Sequence, residues 1–223
     1  MKRGTTSLAC SLLVVTLLAA PSARAAGDVE LPQENPWAKV AQQVGLTEVS
    51  ISYITPAVRG RKLWGAAVPY GRPWWIGANS PPTKITFSKD VTFGDKAVPA
   101  GTYLLLAIPM ASAWTLILNK NVEEPGNYRP ELDVARVRAS VKSTPRRERL
   151  TFLFSDTSED RASLDLEWDT MRVSVPIQAQ TQQQVFAAID GLDKTWRSYQ
   201  NAALYMVRTK KDYEMGLKYI DKS

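Results

Sequence analysis

TEVSISYI, residues 47–54, puts Val49, Ile51 and Tyr53 on one side of an extended chain and Glu48, Ser50 and Ser52 on the other. Apolar residues at every second position mark a half-buried β-strand. The same period recurs downstream. KITFS (84–88) gives Ile85 and Phe87, and VTF (91–93) runs into a turn at Gly94-Asp95. GTYLLLAI (101–108) is nearly all apolar, as a strand covered on both faces would be. WTLILN (114–119), LDVARVRASVK (132–142), ERLTFLFS (148–155), RASLDLEW (161–168) and TMRVSVPI (170–177) continue the series. Upstream, AKVAQQV (38–44) alternates weakly and reads as a strand, with one helical turn as the alternative. About eight to ten short strands with turns between them predict a mainly β fold. The expected form is an antiparallel β-sandwich, jelly-roll or immunoglobulin-like, or a flattened barrel, over residues 38–177.

Beyond 177 the pattern changes. Residues 178–223 contain no proline, and Val185, Ile189, Leu192, Trp196, Tyr199 and Ala203 step by 4, 3, 4, 3 and 4. That is one stripe of an α-helix. Gly191 costs about 1 kcal/mol inside it and marks a kink or break. After the basic turn Arg208–Lys211, Tyr213, Leu217 and Ile220 share a second helical face, with Gly216 allowing close packing. A C-terminal α-helical hairpin is expected.

The N-terminus reads as a secretory signal peptide, residues 1–25. Lys2 and Arg3 precede a 13-residue apolar run, Leu8–Ala20, and Ala23-Arg24-Ala25 fits the cleavage rule. Thirteen residues are too short to span a bilayer as a helix. Residues 26–37, polar with Pro32 and Pro36, read as a linker. The expectation is an exported protein, periplasmic or extracellular, with no transmembrane span after cleavage. Cleavage would remove Cys10, the only cysteine, and lower the formal charge from +6 to +3. That balance is too mild to suggest nucleic acid as a partner.

Among 223 residues there is no histidine. Ser–His–Asp and Cys–His chemistry and His-ligated zinc are therefore excluded. There is no G-x-S-x-G elbow, no P-loop and no G-x-G-x-x-G, so no cofactor is implied. Asp156, Glu159 and Asp160 could offer oxygens to calcium but match no EF-hand pattern, and a solvated turn is the plainer reading. Paired carboxylates for glycoside hydrolysis cannot be named from spacing, because such a pair forms in space.

The densest segment is TPAVRGRKLWGAAVPYGRPWWIGANSPP (55–82). Arg59, Arg61, Lys62, Trp64, Tyr70, Trp74, Trp75 and Asn79 offer cations, flat apolar faces and an amide. That mixture suits a sugar ring, an anion, or an aromatic or cationic partner. The competing reading is structural: such rings cap the end of a core. A basic run, Arg136, Arg138, Lys142, Arg146, Arg147 and Arg149, reads as contact with an acidic surface or as a solvated face that discourages edge pairing.

P-x-V-x-G-R-K at Pro56–Lys62 and Y-G-x-x-W-x-x-G-A-N at Tyr70–Asn79 resemble the bacterial domain of unknown function 2911 family, as do the strands that follow. The resemblance covers about residues 38–177 and implies an exported β-rich domain, often with a helical tail, but no activity. In that family an Arg usually follows the Trp and a Glu follows G-A-N; here those positions hold Trp75 and Ser80. The tail weakly resembles a tetratricopeptide unit. Three functions follow as expectations. The first is a non-enzymatic module binding a small molecule, glycan or envelope protein. The second is a carboxylate-based hydrolase of envelope glycan. The third is an oligomerisation protein acting through its tail.

Overall fold

Val49, Ile51 and Tyr53 turn inward as their spacing requires, on strand β2 (Thr47–Ile54). The weakly patterned stretch before it is strand β1 (Trp37–Val44), paired antiparallel with β2 across a turn at Gly45 and Leu46. The computed structural model describes residues 31–78, 80–191 and 195–222; the expected signal segment and Asn79 lie outside them.

The remaining strands are β3 (Trp74–Trp75), β4 (Lys84–Phe87), β5 (Val91–Phe93), β6 (Lys96–Val98), β7 (Gly101–Ile108), β8 (Ala113–Asn119), β9 (Asp133–Ser155) and β10 (Arg161–Ala179). They form one antiparallel sheet in the order β1-β2-β4-β7-β8-β9-β10-β5-β6, with β3 also on β7. The four alternating runs from 132 to 177 are thus two long strands. A straight 23-residue strand such as β9 would reach roughly 75 Å, far beyond any core here. The pair bends instead. Its register shifts between Glu167 and Met171, and Asp169 takes φ 53°. A bulge of this kind turns a strand without ending it.

The bend folds the sheet over its own apolar face. β9 pairs with β8 through its first third and with β10 through the rest. The sheet is not closed; an isolated bridge, Ala57 to Arg149, ties the segment after β2 to the second half of β9. There the Leu150 N–H donates to the Pro56 carbonyl at 3.0 Å, and the Phe152 N–H to the Tyr53 hydroxyl at 3.1 Å. The main core lies inside, and includes Phe87 in ring contact with both Phe93 and Tyr103. A second cluster, Leu104, Leu106 and Ile117, sits on the outer face under Trp75, Val122 and Tyr128. This explains the unbroken apolar run of β7. Each leucine so covered contributes about 1.5–3 kcal/mol.

The tail is three helices rather than two: α1 (Thr181–Gly191), α2 (Trp196–Tyr205) and α3 (Tyr213–Ile220). An extended Thr195, at φ −89° and ψ 152°, stands before α2. The hairpin is α2 with α3, joined through a π-turn at Met206–Lys210 and a left-handed Lys211. Asp212 caps α3 by accepting the Met215 N–H at 2.9 Å. Gly216 packs against Val207 so closely that a Cβ would stand 2.5 Å from it. The expected face of Tyr213, Leu217 and Ile220 is turned outward, each more than half exposed. Trp196 is likewise 55% exposed, while Ala203 is buried; Leu192 of the expected stripe lies outside the described residues. α1 is tied to the sheet by Gln184 Nε2, which donates to Thr47 Oγ1 at 3.2 Å. No helix among the described residues is long and apolar enough to cross a membrane.

Candidate functional site

The segment after β2 is anchored by its own apolar residues: Val58, Leu63, Val68 and Ile76 are buried. Its first cations serve the chain itself. The Arg59 N–H donates to Glu148 Oε1 at 2.7 Å, and its guanidinium pairs with Glu34 at 3.0 Å. Arg61 folds back onto the Val58 and Ala57 carbonyls at 3.1 and 2.7 Å. Lys62 is exposed, and Tyr70 lies across Gly65. None of these four joins the aromatic cluster described next.

Trp74 and Trp75 are neighbours on a strand, so they point to opposite faces. Trp75 faces out, packs on the Leu104–Leu106–Ile117 cluster and donates its N–H to the Pro125 carbonyl at 2.7 Å. Trp74 faces in, where it meets three other indoles. Ring centroids stand 5.4 Å apart for Trp64–Trp114, 5.9 Å for Trp114–Trp74, 6.3 Å for Trp74–Trp168 and 6.0 Å for Trp168–Trp64. The four contacts close a ring. Three are edge-to-face, a geometry worth about 0.5–1.5 kcal/mol each beyond burial. Trp114 and Trp168 are buried, at 1% and 3% exposure, while Trp64 and Trp74 keep partial access to solvent.

The cluster is polar in an unsatisfied way. Nε1 of Trp64, of Trp114 and of Trp168 is buried with no hydrogen-bond partner among the described residues. An indole N–H can only donate, and a buried donor left unmet costs about 1–3 kcal/mol. Trp114 and Trp168 lie outside the aromatic segment that the sequence points to, each within a strand run of its own (114–119 and 161–168). Their signal was the residue type, a large ring with a polar edge at a strand's inner face.

A second constellation lies on the outer face at the β9–β10 bend. Asp165 and Glu167 are buried there at 1% and 2% exposure. Arg147 Nε reaches Glu167 Oε2 at 2.6 Å, and Arg172 Nε reaches Glu167 Oε1 at 2.6 Å. Arg172 also approaches Asp165 at 3.5 Å, and the Ser155 and Ser163 hydroxyls donate to Asp165 at 2.6 and 3.1 Å. Burial pulls the Glu167 carboxyl up, but Arg172 and Arg147 outweigh it and hold it below its usual range. With Arg147 and Arg172 on Glu167, and Arg172 near Asp165, the two carboxylates tie the strands together at the bend. Much of the basic run is likewise engaged: Arg146 pairs with Glu148 and Asp169, Arg136 with Asp133, and Arg149 donates to the Thr55 carbonyl. Tyr128, donating to Asp133, has its hydroxyl pushed up to about 12 by burial and that carboxylate. Among the described residues no group of three or more His, Cys, Asp or Glu side chains is placed to hold a metal.

Together these features define a mainly antiparallel β-domain, bent around an aromatic interior, with a helical tail. Residues 35–177 match the family model described as a protein of unknown function, DUF2911, and the chain belongs to that family. No curated protein and no solved structure matches the chain. The matched span contains all four tryptophans of the cluster and stops short of α1; the tetratricopeptide-like reading of the tail is not confirmed.

Proposed function

We propose that this is an exported ligand-binding module of the bacterial envelope whose site is the tryptophan-lined end of the β-domain. The observation that carries it is the set of three buried indole N–H groups without partners, grouped in one ring of aromatic faces. Donors of that kind call for acceptor oxygens and repel a cation at the indole edge. Flat apolar faces call for a ring with C–H surfaces. A saccharide ring supplies both. Of the four rings, Trp64 and Trp74 keep partial exposure and are the ones a ligand meets first. Export rests on the signal-type N-terminus, and N-terminal sequencing of the secreted product should find Ala26 first.

The test is a thermal-shift panel of mono- and oligosaccharides on the full mature chain. A ligand at 100 times its Kd adds about 2.7 kcal/mol, which at this size raises Tm by roughly 5–11 °C. The rise should vanish in Trp64→Phe, which keeps a ring and loses the donor. A flat panel, or a rise that survives in Trp64→Phe, overturns the reading. A second reading, self-association through the tail, is favoured by the exposed Tyr213, Leu217 and Ile220. Light scattering on the full chain and on Leu217→Glu decides it, since a monomer in both removes its basis.

A further inference from the structure

Leu46 stands 42% exposed at the tip of the β1–β2 turn. It forms the rim of a trough of about 320 Å³ between that turn, α1 and α2, lined also by Val185, Ala188, Ala202 and the Tyr205 ring. Leu46 and Tyr205 also border a second cavity of about 270 Å³, whose lining includes Glu159, Asp160, Thr181, Thr209 and Lys210. The Thr181 and Tyr205 hydroxyl oxygens are buried here without a partner among the described residues, as is Gln184 Oε1 on the next turn of α1.

The second cavity is bordered by several acceptors. Glu159 and Asp160 carry two negative charges; Arg161 comes no nearer to Asp160 than 3.9 Å. Lys210 offers one positive charge and holds it 5.8 Å over the Tyr205 ring. Arg197, at the apolar end, lies over Trp196 at 5.4 Å. The two carboxylates and the two hydroxyl oxygens can all accept from an N–H donor. An occupant with a primary ammonium at one end and a hydrocarbon chain at the other matches both halves.

We propose that this trough binds a single-chain amphiphile with a primary ammonium head. The chain lies along Leu46, Val185, Ala188 and Ala202, and the head donates to the acceptors around Thr181 and Tyr205. This site is separate from the tryptophan cluster and does not depend on a ligand there.

Isothermal titration of the full chain with decylammonium, below its micelle concentration, tests it. One saturable site is expected. Ala188→Trp, at an exposed position, fills the trough and should weaken binding at least tenfold. Tyr205→Phe removes one hydroxyl and should cost about fivefold, the equivalent of one ordinary hydrogen bond. Decanoate, with the same chain and the opposite charge, should bind at least tenfold more weakly, and decyltrimethylammonium, which has no N–H, should also lose affinity. If Ala188→Trp loses helical signal by circular dichroism, Leu46→Gln reads the same end of the trough. Absence of a saturable site, binding unchanged by both apolar-end variants, or decanoate binding as well as decylammonium overturns the proposal.

Discussion

Arg172→Met should destabilise the protein at neutral pH and lose part of that effect in acid. Arg172 makes two short contacts to Glu167 and a longer one to Asp165, and those carboxylates are 3% and 1% exposed. Removing one partner of a buried pair costs about 3–5 kcal/mol, because a charge stays behind in poor solvent. Arg172 itself is 36% exposed, so water screens its side of the pair. Arg147 also remains on Glu167 at 2.6 Å. The lower end, about 3 kcal/mol, is therefore expected. For a chain of this size that is a fall in Tm of roughly 6–12 °C.

The pH dependence gives the stricter check. Glu167 is held below its usual value of 4.5 in the folded chain. A depressed carboxyl contributes stability above its unfolded value and loses it as pH falls through the folded one. Without Arg172, burial is opposed by Arg147 alone, so Glu167 binds its proton more readily in the variant than in the parent. The gap in Tm between parent and variant should then narrow below about pH 4.5. Differential scanning calorimetry at pH 7 and at pH 3.5–4 measures both quantities. A fall under 2 °C at pH 7, or a gap that does not change with pH, would refute the view that these arginines anchor the bend through buried charge.

Trp75→Phe loses its hydrogen bond to Pro125, about 1 kcal/mol, and should lower Tm by roughly 2–4 °C without touching saccharide binding, since that ring faces away from the cluster. Gly77→Ala should be markedly worse by thermal melting: φ is 81°, and the new Cβ would stand 2.8 Å from the Ile54 carbonyl oxygen. Asp212→Ala removes the α3 cap, worth about 1 kcal/mol; hydrogen exchange should quicken over residues 213–220 while β7 and β8 amides keep their protection. In a spectrophotometric titration, the tyrosine that ionises near pH 12 should disappear in Tyr128→Phe.

What could be read from the sequence was local. Alternation at Val49, Ile51 and Tyr53 placed them in the core, and the apolar run of β7 announced two covered faces. Continuity could not be read the same way. Pro145 and Asp169 resemble turn residues, yet neither ends its strand: Asp169, at φ 53°, sits in the bulge, and the partner strand supplies hydrogen bonds on either side of it. Asp165 and Glu167 sit at polar positions of an alternating strand and look solvated. Their burial depends on Arg147 and Arg172 arriving from either side of the bend. The aromatic segment was visible as a composition, but its division was not. One residue of register sends Trp74 to the core and Trp75 to the outer face. Trp114 and Trp168 are far from it in the chain, and only strand pairing brings them to it.

The distribution of unmet polar atoms bears on function more directly than the fold does. This chain satisfies its difficult buried groups thoroughly. Asn119 donates to the Arg129 carbonyl and to Asp133, Asn121 donates to two carbonyls, and Asp165 receives two hydroxyls. Against that background, six buried side-chain atoms among the described residues lack a partner: Nε1 of Trp64, Trp114 and Trp168, and the oxygens of Thr181, Gln184 and Tyr205. They do not scatter. Three are donors in one aromatic ring of contacts, two are hydroxyl oxygens bordering one cavity, and Gln184 Oε1 lies one turn along α1 from Thr181. Random imperfection would spread such costs over the molecule and mix their signs. Two groups, one of donors and one of acceptor-capable atoms, are what two sites with opposite hydrogen-bonding demands would leave. A double experiment follows. A saccharide that stabilises the β-domain and an alkylammonium that stabilises the tail junction should act additively on Tm, because the groups share no residue.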